Sequence, residues 1–301
     1  MISGAFKIIR KVIGYGLLAL LGWTLLFDGA ANHFFVDQHP QRIERYSNTS
    51  TTAFVFFTGV QSSGTTHSAA LRDLWGKHGD VIVVEYNPNR FDGGVTAYDT
   101  YRLLIDGGYK RVILDGASGG GLLATDVIDF DRVEGNKLEF VVMMQDVPQT
   151  EEDLYDRDNA VNVATFLYPG PVTSWWGTDL FWHFGFKPPP RYMLGQDVND
   201  AQLKAHYEAS RNYPLSGWAG QIRYIVNHRE YGRNQFRDIP LIYMQSEHDG
   251  VVKPTADKWK SVFGNITLIK VPETTHVGFV EYPQRWRTAF EQGFAALPPG
   301  W

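Results

Sequence analysis

The segment that most restricts how this chain can fold is Arg111-Val112-Ile113-Leu114-Asp115, which runs directly into Gly116-Ala117-Ser118-Gly119-Gly120 and then Gly121-Leu122-Leu123-Ala124. A β-branched, apolar run followed at once by a helical pattern predicts a strand and a helix joined without a spacer. The joint must then bend sharply, and the two backbones can pass closely only if side chains are missing at Gly116 and Gly120. Ser118 is left on a cramped turn with its hydroxyl projecting from the end of the sheet. Among 30 glycines a Gly-x-Ser-x-Gly spacing arises readily by chance. The strand before it and the helix after it give it meaning, and they point to Ser118 as a nucleophile.

A serine hydroxyl attacks a carbonyl at neutral pH only with a base in reach, and that base needs a carboxylate to orient it. The rest of the chain supplies both, in order. Pro240-Leu241-Ile242-Tyr243-Met244-Gln245-Ser246 reads as a strand that ends in Glu247-His248-Asp249-Gly250-Val251-Val252, with a helix from about Pro254. Ile266-Thr267-Leu268-Ile269-Lys270-Val271 reads as the next strand and leads into Thr274-Thr275-His276-Val277-Gly278-Phe279. Serine, aspartate and histidine thus fall at the carboxyl ends of three strands.

With these residues in that order, the chain resembles the α/β-hydrolase superfamily over about residues 52 to 296. The matching pieces are the elbow at Gly116–Gly120, the acid loop at Ser246–Val252 and the histidine loop at Thr275–Phe279. The resemblance implies Ser118 as nucleophile, Asp249 as orienting acid and His276 as general base. It also implies a mostly parallel central sheet with helices on both faces and a helical cap inserted before the acid-bearing strand. Some members carry the acid one strand earlier, which makes Asp146, at the end of Phe140-Val141-Val142-Met143-Met144-Gln145, the alternative acid. Asp115 and Asp126 are expected to point away from the Ser118 hydroxyl, His248 to be a loop side chain, and His67 and His78 to be solvated on an amphipathic helix.

Acyl transfer also needs donors for the oxyanion. Ala53-Phe54-Val55-Phe56-Phe57 reads as a buried strand opening into Thr58-Gly59-Val60-Gln61-Ser62-Ser63-Gly64. In the resembling family this loop gives one backbone N–H and the residue after the nucleophile gives the other, which by position are Val60 and Gly119. Gly59 and Gln61 remain alternatives for the first. Members that open epoxides or remove halogens carry aspartate at the elbow, so the serine here excludes those reactions.

Composition removes other function classes. A net charge of −5 leaves no basic stripe for phosphates, so no nucleic-acid partner is expected. The chain has no cysteine, which rules out thiolate catalysis and thiolate metal sites. No histidine or carboxylate spacing suits a metal, no phosphate loop is present, and no cofactor is expected.

Strand-like and helix-like runs alternate, as in a parallel sheet covered on both faces, with Val81-Ile82-Val83-Val84-Glu85-Tyr86 as a further buried strand and Ala97 to Ile105 as the helix after it. The alternation stops between about Thr150 and Arg237. That stretch is rich in aromatics and proline, including Trp175-Trp176 and Phe181-Trp182-His183-Phe184. It divides the chain into core 32–149, cap 150–238 and core 239–301, with the cap aromatics lining an apolar pocket. Residues 1–31 form a separate element. Lys7, Arg10 and Lys11 precede the uncharged run Val12 to Phe27, which ends at Asp28. That run spans about 24 Å as a helix. It reads as an uncleaved anchor with the catalytic domain outside the cytoplasm, or as a signal peptide cleaved near Gly29-Ala30-Ala31 to release a secreted or periplasmic protein. The resulting expectation is a serine hydrolase of small apolar carboxylic esters, associated with a membrane. Acyltransferase, thioesterase or peptidase chemistry with the same triad, and ligand binding without turnover, are the alternatives.

Overall fold

The computed structural model describes residues 2–40, 42–47, 49–60, 62–158, 160–161 and 213–301. Seven strands form one sheet in the order β1-β3-β2-β4-β5-β6-β7: β1 Arg42–Arg45, β2 Thr52–Phe57, β3 Asp80–Glu85, β4 Arg111–Ala117, β5 Glu139–Gln145, β6 Leu241–Ser246 and β7 Ile266–Val271. From β3 to β7 every pairing is parallel, and β1 adds an antiparallel edge on β3. The sequence run at 42–45 is short and charged, so the apolar pattern gave no sign of β1; its pairing with β3 is what makes it a strand.

The parallel strands β2 to β6 are buried on both faces, which is why they read as apolar runs, whereas β7 at the edge exposes Thr267, Leu268 and Lys270. Val55, Phe57, Leu114 and Val142 pack on one side with α4 (Gly93–Asp106), α5 (Gly120–Val133) and the helix Ala256–Phe263. Phe54, Phe56, Ile113 and Met143 pack on the other with Trp75 and the helix Pro283–Ala295, whose Trp286, Phe290 and Phe294 are buried. Aromatic edges extend this second core: Phe54 stacks on Trp75 at 4.8 Å, and Phe279 meets Trp286 edge-on at 4.6 Å.

Between β2 and β3 the expected single helix is two short ones, α2 Gly64–Ser68 and α3 Arg72–Trp75. His67 is buried there, with Nδ1 3.3 Å from Thr58 Oγ1, and His78 stacks on Phe294 at 3.8 Å, so neither is the solvated residue expected. An amphipathic pattern locates the covered face but does not tell which histidine lies on it.

Most of the expected cap, 162–212 with Trp175, Trp176 and Trp182, lies outside the described residues. Its two ends are described. At the first, Leu154 bridges Val252, and Asp153 accepts from Gln149 N–H (2.8 Å) while pairing with Lys258. At the second, α6 (Leu215–Val226) lies against the loop after β3. A side chain at Gly217 would overlap the Pro88 carbonyl, and one at Gly220 would come within 3.2 Å of Phe91 Cβ.

The amino-terminal helix α1 runs over Ile2–Phe35, longer than the apolar run alone predicts and passing straight through Asp28. Its stretch Arg10–Ala31 has a mean hydropathy of 1.6 and exposes Leu17, Leu18, Leu20, Trp23 and Leu26. By length and composition it can cross a membrane, and a signal sequence meets the same criteria. Beyond α1 the chain is held to the loop after β3. The Val36 carbonyl accepts from Arg90 Nη1 (3.1 Å), the Asp37 carbonyl from Asn87 Nδ2 (2.8 Å), and His39 Nδ1 meets Asp99 Oδ2 at 2.6 Å.

Candidate active site

Ser118 is reached by β4 and left by α5, and the turn between them has φ +51° at the serine, in the left-handed region that costs an L-residue energy. Two hydrogen bonds hold it there. Ser118 N–H donates to the Gln145 carbonyl at 2.8 Å, and the Ser118 carbonyl accepts from Gly121 N–H at 3.0 Å. The glycines expected to permit the turn do so by contact: a Cβ at Gly116 would overlap Gly121, and one at Gly120 would overlap the Phe57 and Thr58 carbonyls. Ser118 Oγ makes no hydrogen bond to any described residue.

Asp249 and His276 are brought together. Asp249 follows β6 in a turn where its Oδ1 accepts from Val251 N–H (2.7 Å) and Val252 N–H (2.9 Å). Its other oxygen, Oδ2, is left for His276 Nδ1 at 2.8 Å, and both side chains are mostly covered. His276 follows β7, two strands from β5, and is linked back toward the elbow: Val277 N–H donates to Asp146 Oδ2 (3.2 Å), and Asp146 follows the Gln145 whose carbonyl holds Ser118. Serine, aspartate and histidine therefore share the carboxyl edge of the sheet.

Asp146 stands in the same cluster, with ligand atoms of Asp146, Asp249 and His276 all within 4.8 Å. It makes no hydrogen bond to His276; its oxygens go to Ser246 N–H, Ser246 Oγ and Val277 N–H. Burial first, and the Asp249 charge second, push its carboxyl up to about 6, with His276 acting the other way. Asp115 lies within β4 beneath the serine, fully buried and bonded to Gln145 Nε2, and burial raises its carboxyl well above the ordinary range. Asp126 accepts from Tyr224 Oη, with His228 Nε2 at 3.3 Å. His248 is half exposed in its loop, with Nε2 3.8 Å from Glu247.

The loop after β2 closes over the serine. A Cβ at Gly59 would approach Ser118 Cβ to 3.2 Å, and one at Gly119 would approach Val60 Cγ2 to 3.5 Å, so Val60 and Gly119 face each other across the elbow. Neither the Val60 nor the Gly119 N–H donates to another described residue, and Gly119 is the residue just before α5, at the helix's positive end. Gln61 lies outside the described residues. Sequence reasoning missed what anchors this loop. Glu85 accepts from Ser63 Oγ (2.9 Å) and Gly64 N–H (3.1 Å), and Tyr86 Oη donates to the Thr58 carbonyl (2.7 Å). Their place at the carboxyl end of β3, beside the elbow strand's neighbour, was the only available signal.

A small cavity next to the elbow is lined by Val60, Tyr86, Phe91, Gly119, Leu123, Gln221 and Tyr224. Ile225 packs against the elbow beside it, since its Cδ1 would lie 2.9 Å from a Cβ on Gly119. The wall is mixed: Val60, Phe91 and Leu123 are apolar, the hydroxyls of Tyr86 and Tyr224 are turned to the Thr58 carbonyl and Asp126, and Gln221 Nε2 donates to Tyr213 Oη at 2.9 Å.

The sequence matches no protein-family model and no curated protein. Solved structures do match. A hydrolase from Oleispira antarctica superposes with a TM-score of 0.60 at 12% identity, covering 85% of this chain and 94% of that one. An esterase from a Rhodococcus species gives 0.58 at 19% identity, covering 85% and 94%, and a thermophilic esterase from Thermogutta terrifontis gives 0.57 at 16%, covering 84% and 92%. Such coverage of both chains at such low identity speaks to the path of the backbone, and together with the parallel sheet, the strand order and the elbow it means that this chain has the α/β-hydrolase fold.

Proposed function

We propose that the protein is a serine hydrolase that cleaves small, apolar carboxylic esters through an acyl-enzyme. The observation that carries this reading is the pairing of a serine at φ +51° on the strand–helix turn with an Asp249–His276 hydrogen bond at the same sheet edge. In this reading His276 takes the Ser118 proton as Oγ attacks the acyl carbon, and Asp249 holds the imidazole with Nδ1–H toward itself, leaving Nε2 to act. The Val60 and Gly119 amides receive the oxyanion. His276 then returns the proton to the leaving alcohol, and a water deprotonated by the same nitrogen releases the acid. The hydrogen bond between Ser118 and His276 is the one to be made when an acyl group docks, since such bonds commonly tighten only in the substrate complex. Structural neighbours that are esterases support the ester substrate class. A fluorophosphonate probe tests it: covalent modification at Ser118, absent in Ser118→Ala, is the expected result. No labelling of folded protein would transfer the site to ligand binding.

The exposed α1 supports a membrane anchor, with the catalytic domain on the non-cytoplasmic side as the Lys7, Arg10 and Lys11 charges favour. Deleting residues 1–31 is expected to yield soluble protein that still turns over short dispersed esters. Activity on long-chain esters in vesicles should fall about tenfold or more, because the local concentration gained by anchoring is lost. Fractionation with both substrates measures it; equal activity on both substrates after deletion refutes the anchor.

A further inference from the structure

Asp146 leaves β5 with φ +49° and is buried between the two loops that carry Asp249 and His276. Its Oδ1 accepts from Ser246 N–H (2.9 Å), at the end of β6, and its Oδ2 accepts from Val277 N–H (3.2 Å), directly after His276. Val277 is β-branched and sits at φ +44°, a conformation such a residue keeps only when its surroundings hold it. The amide bonded to Asp146 is thus the one that most needs holding, one residue from the imidazole.

The Ser246 hydroxyl links the two loops a second time. Ser246 Oγ lies 2.6 Å from Asp146 Oδ2 and 2.9 Å from the Thr275 carbonyl, yet it has one proton to give. When Asp146 is protonated, its O–H donates to Ser246 Oγ and the Ser246 proton goes on to Thr275, so the chain is complete. When Asp146 is ionised, the Ser246 proton turns to the carboxylate, and the Thr275 carbonyl keeps only Gly278 N–H at 3.3 Å.

We propose that Asp146 is a positioning residue for His276: it clamps the acid turn to the base loop, and the gain or loss of its proton sets both how firmly Thr275 is held and how much negative charge the imidazole meets. The titratable groups facing it are Asp249 from the turn after β6, His276 from the loop after β7, and Tyr243 from β6 itself. Burial and the Asp249 charge raise its carboxyl to about 6. The proposal rests on the triad reading only for its effect on turnover; its effect on the imidazole does not need that reading.

Titration of the His276 ring by NMR in the full chain, with its resonance assigned through His276→Gln, tests the idea. Asp146→Asn carries no charge at any pH, and its NH₂ can donate to Ser246 Oγ as the protonated acid does, at the cost of the acceptor that Val277 N–H uses on Oδ2. The His276 midpoint is expected to fall by about 0.5 to 1 pH unit in this variant, because a nearby negative charge favours the imidazolium. Ser246→Ala should lower it less, since a carboxylate deprived of a donor stays protonated to higher pH. The acid limb of kcat/KM for an ester should move with the midpoint. A midpoint unmoved by more than about 0.2 unit in Asp146→Asn, or in Ser246→Ala should the first variant not fold, overturns the proposal. If the midpoint moves while Ser118→Ala keeps its esterase activity, the clamp stands and the triad reading falls. If turnover depends on Ser118 and the midpoint stays put, only the clamp falls.

Discussion

Ser118→Ala is expected to lower ester turnover by about 10⁴-fold or more, and His276→Ala by a similar factor. In the proposed mechanism the two groups act as one unit: without the imidazole the hydroxyl keeps its proton, and without the hydroxyl the imidazole has nothing to activate. The double variant should therefore be little worse than either single one. Losses that multiply would mean that serine and histidine act separately and would sink the assignment. The alanine leaves the turn in place, because the strained backbone is held by main-chain bonds to Gln145 and Gly121 and not by Oγ. Circular dichroism and thermal midpoints should therefore match the wild type.

Asp249→Asn is expected to cost about 10³- to 10⁴-fold in kcat with the fold retained. The amide oxygen can still accept from Val251 and Val252 N–H, so the turn survives. What changes is the atom facing His276 Nδ1. An NH₂ group there demands an acceptor on Nδ1, which moves the ring proton to Nε2, the nitrogen that must receive the proton from serine. Asp146→Asn should be mild by comparison, roughly tenfold or less in kcat, since Asp146 makes no hydrogen bond to the imidazole. Steady-state kinetics on one short ester measures both, and a severe Asp146 variant beside a mild Asp249 variant would relocate the acid.

The core of this site was legible because its parts are tied to local rules. A glycine-flanked serine after a β-branched run can be read from sequence, since the close approach of Gly116 to Gly121 leaves no room for a side chain. Asp249 and His276 were legible because each follows a strand with a readable pattern, the buried apolar run of β6 and the alternation of the edge strand β7. Contacts that depend on the sheet order were not legible. β1 is four residues of mixed charge whose strand character comes from β3 alone, and Glu85 and Tyr86 hold the loop over the serine only because β3 lies beside β2. His67 was misplaced for a related reason, as its burial depends on Phe279, more than two hundred residues on, whose ring centroid lies 6.2 Å away. Asp146 was visible as a rival acid. Its bonds to both loops were not, because they join residues 100 and 131 positions away.

The short passage from α1 to β1 has a mechanical consequence. Val36, Asp37 and His39 are fastened to Arg90, Asn87 and Asp99, in and just beyond the loop whose Tyr86 and Phe91 line the cavity. With α1 in a bilayer, the leash has almost no slack, and the carboxyl edge of the sheet could not swing freely through the water above. The enzyme would then meet its substrates as a diffusing disc meets others in a plane, at a rate set by molecules per unit area of lipid and insensitive to their bulk concentration. Diluting the substrate with inert lipid at constant total ester would slow such an enzyme, while diluting the whole vesicle suspension would leave it nearly unchanged.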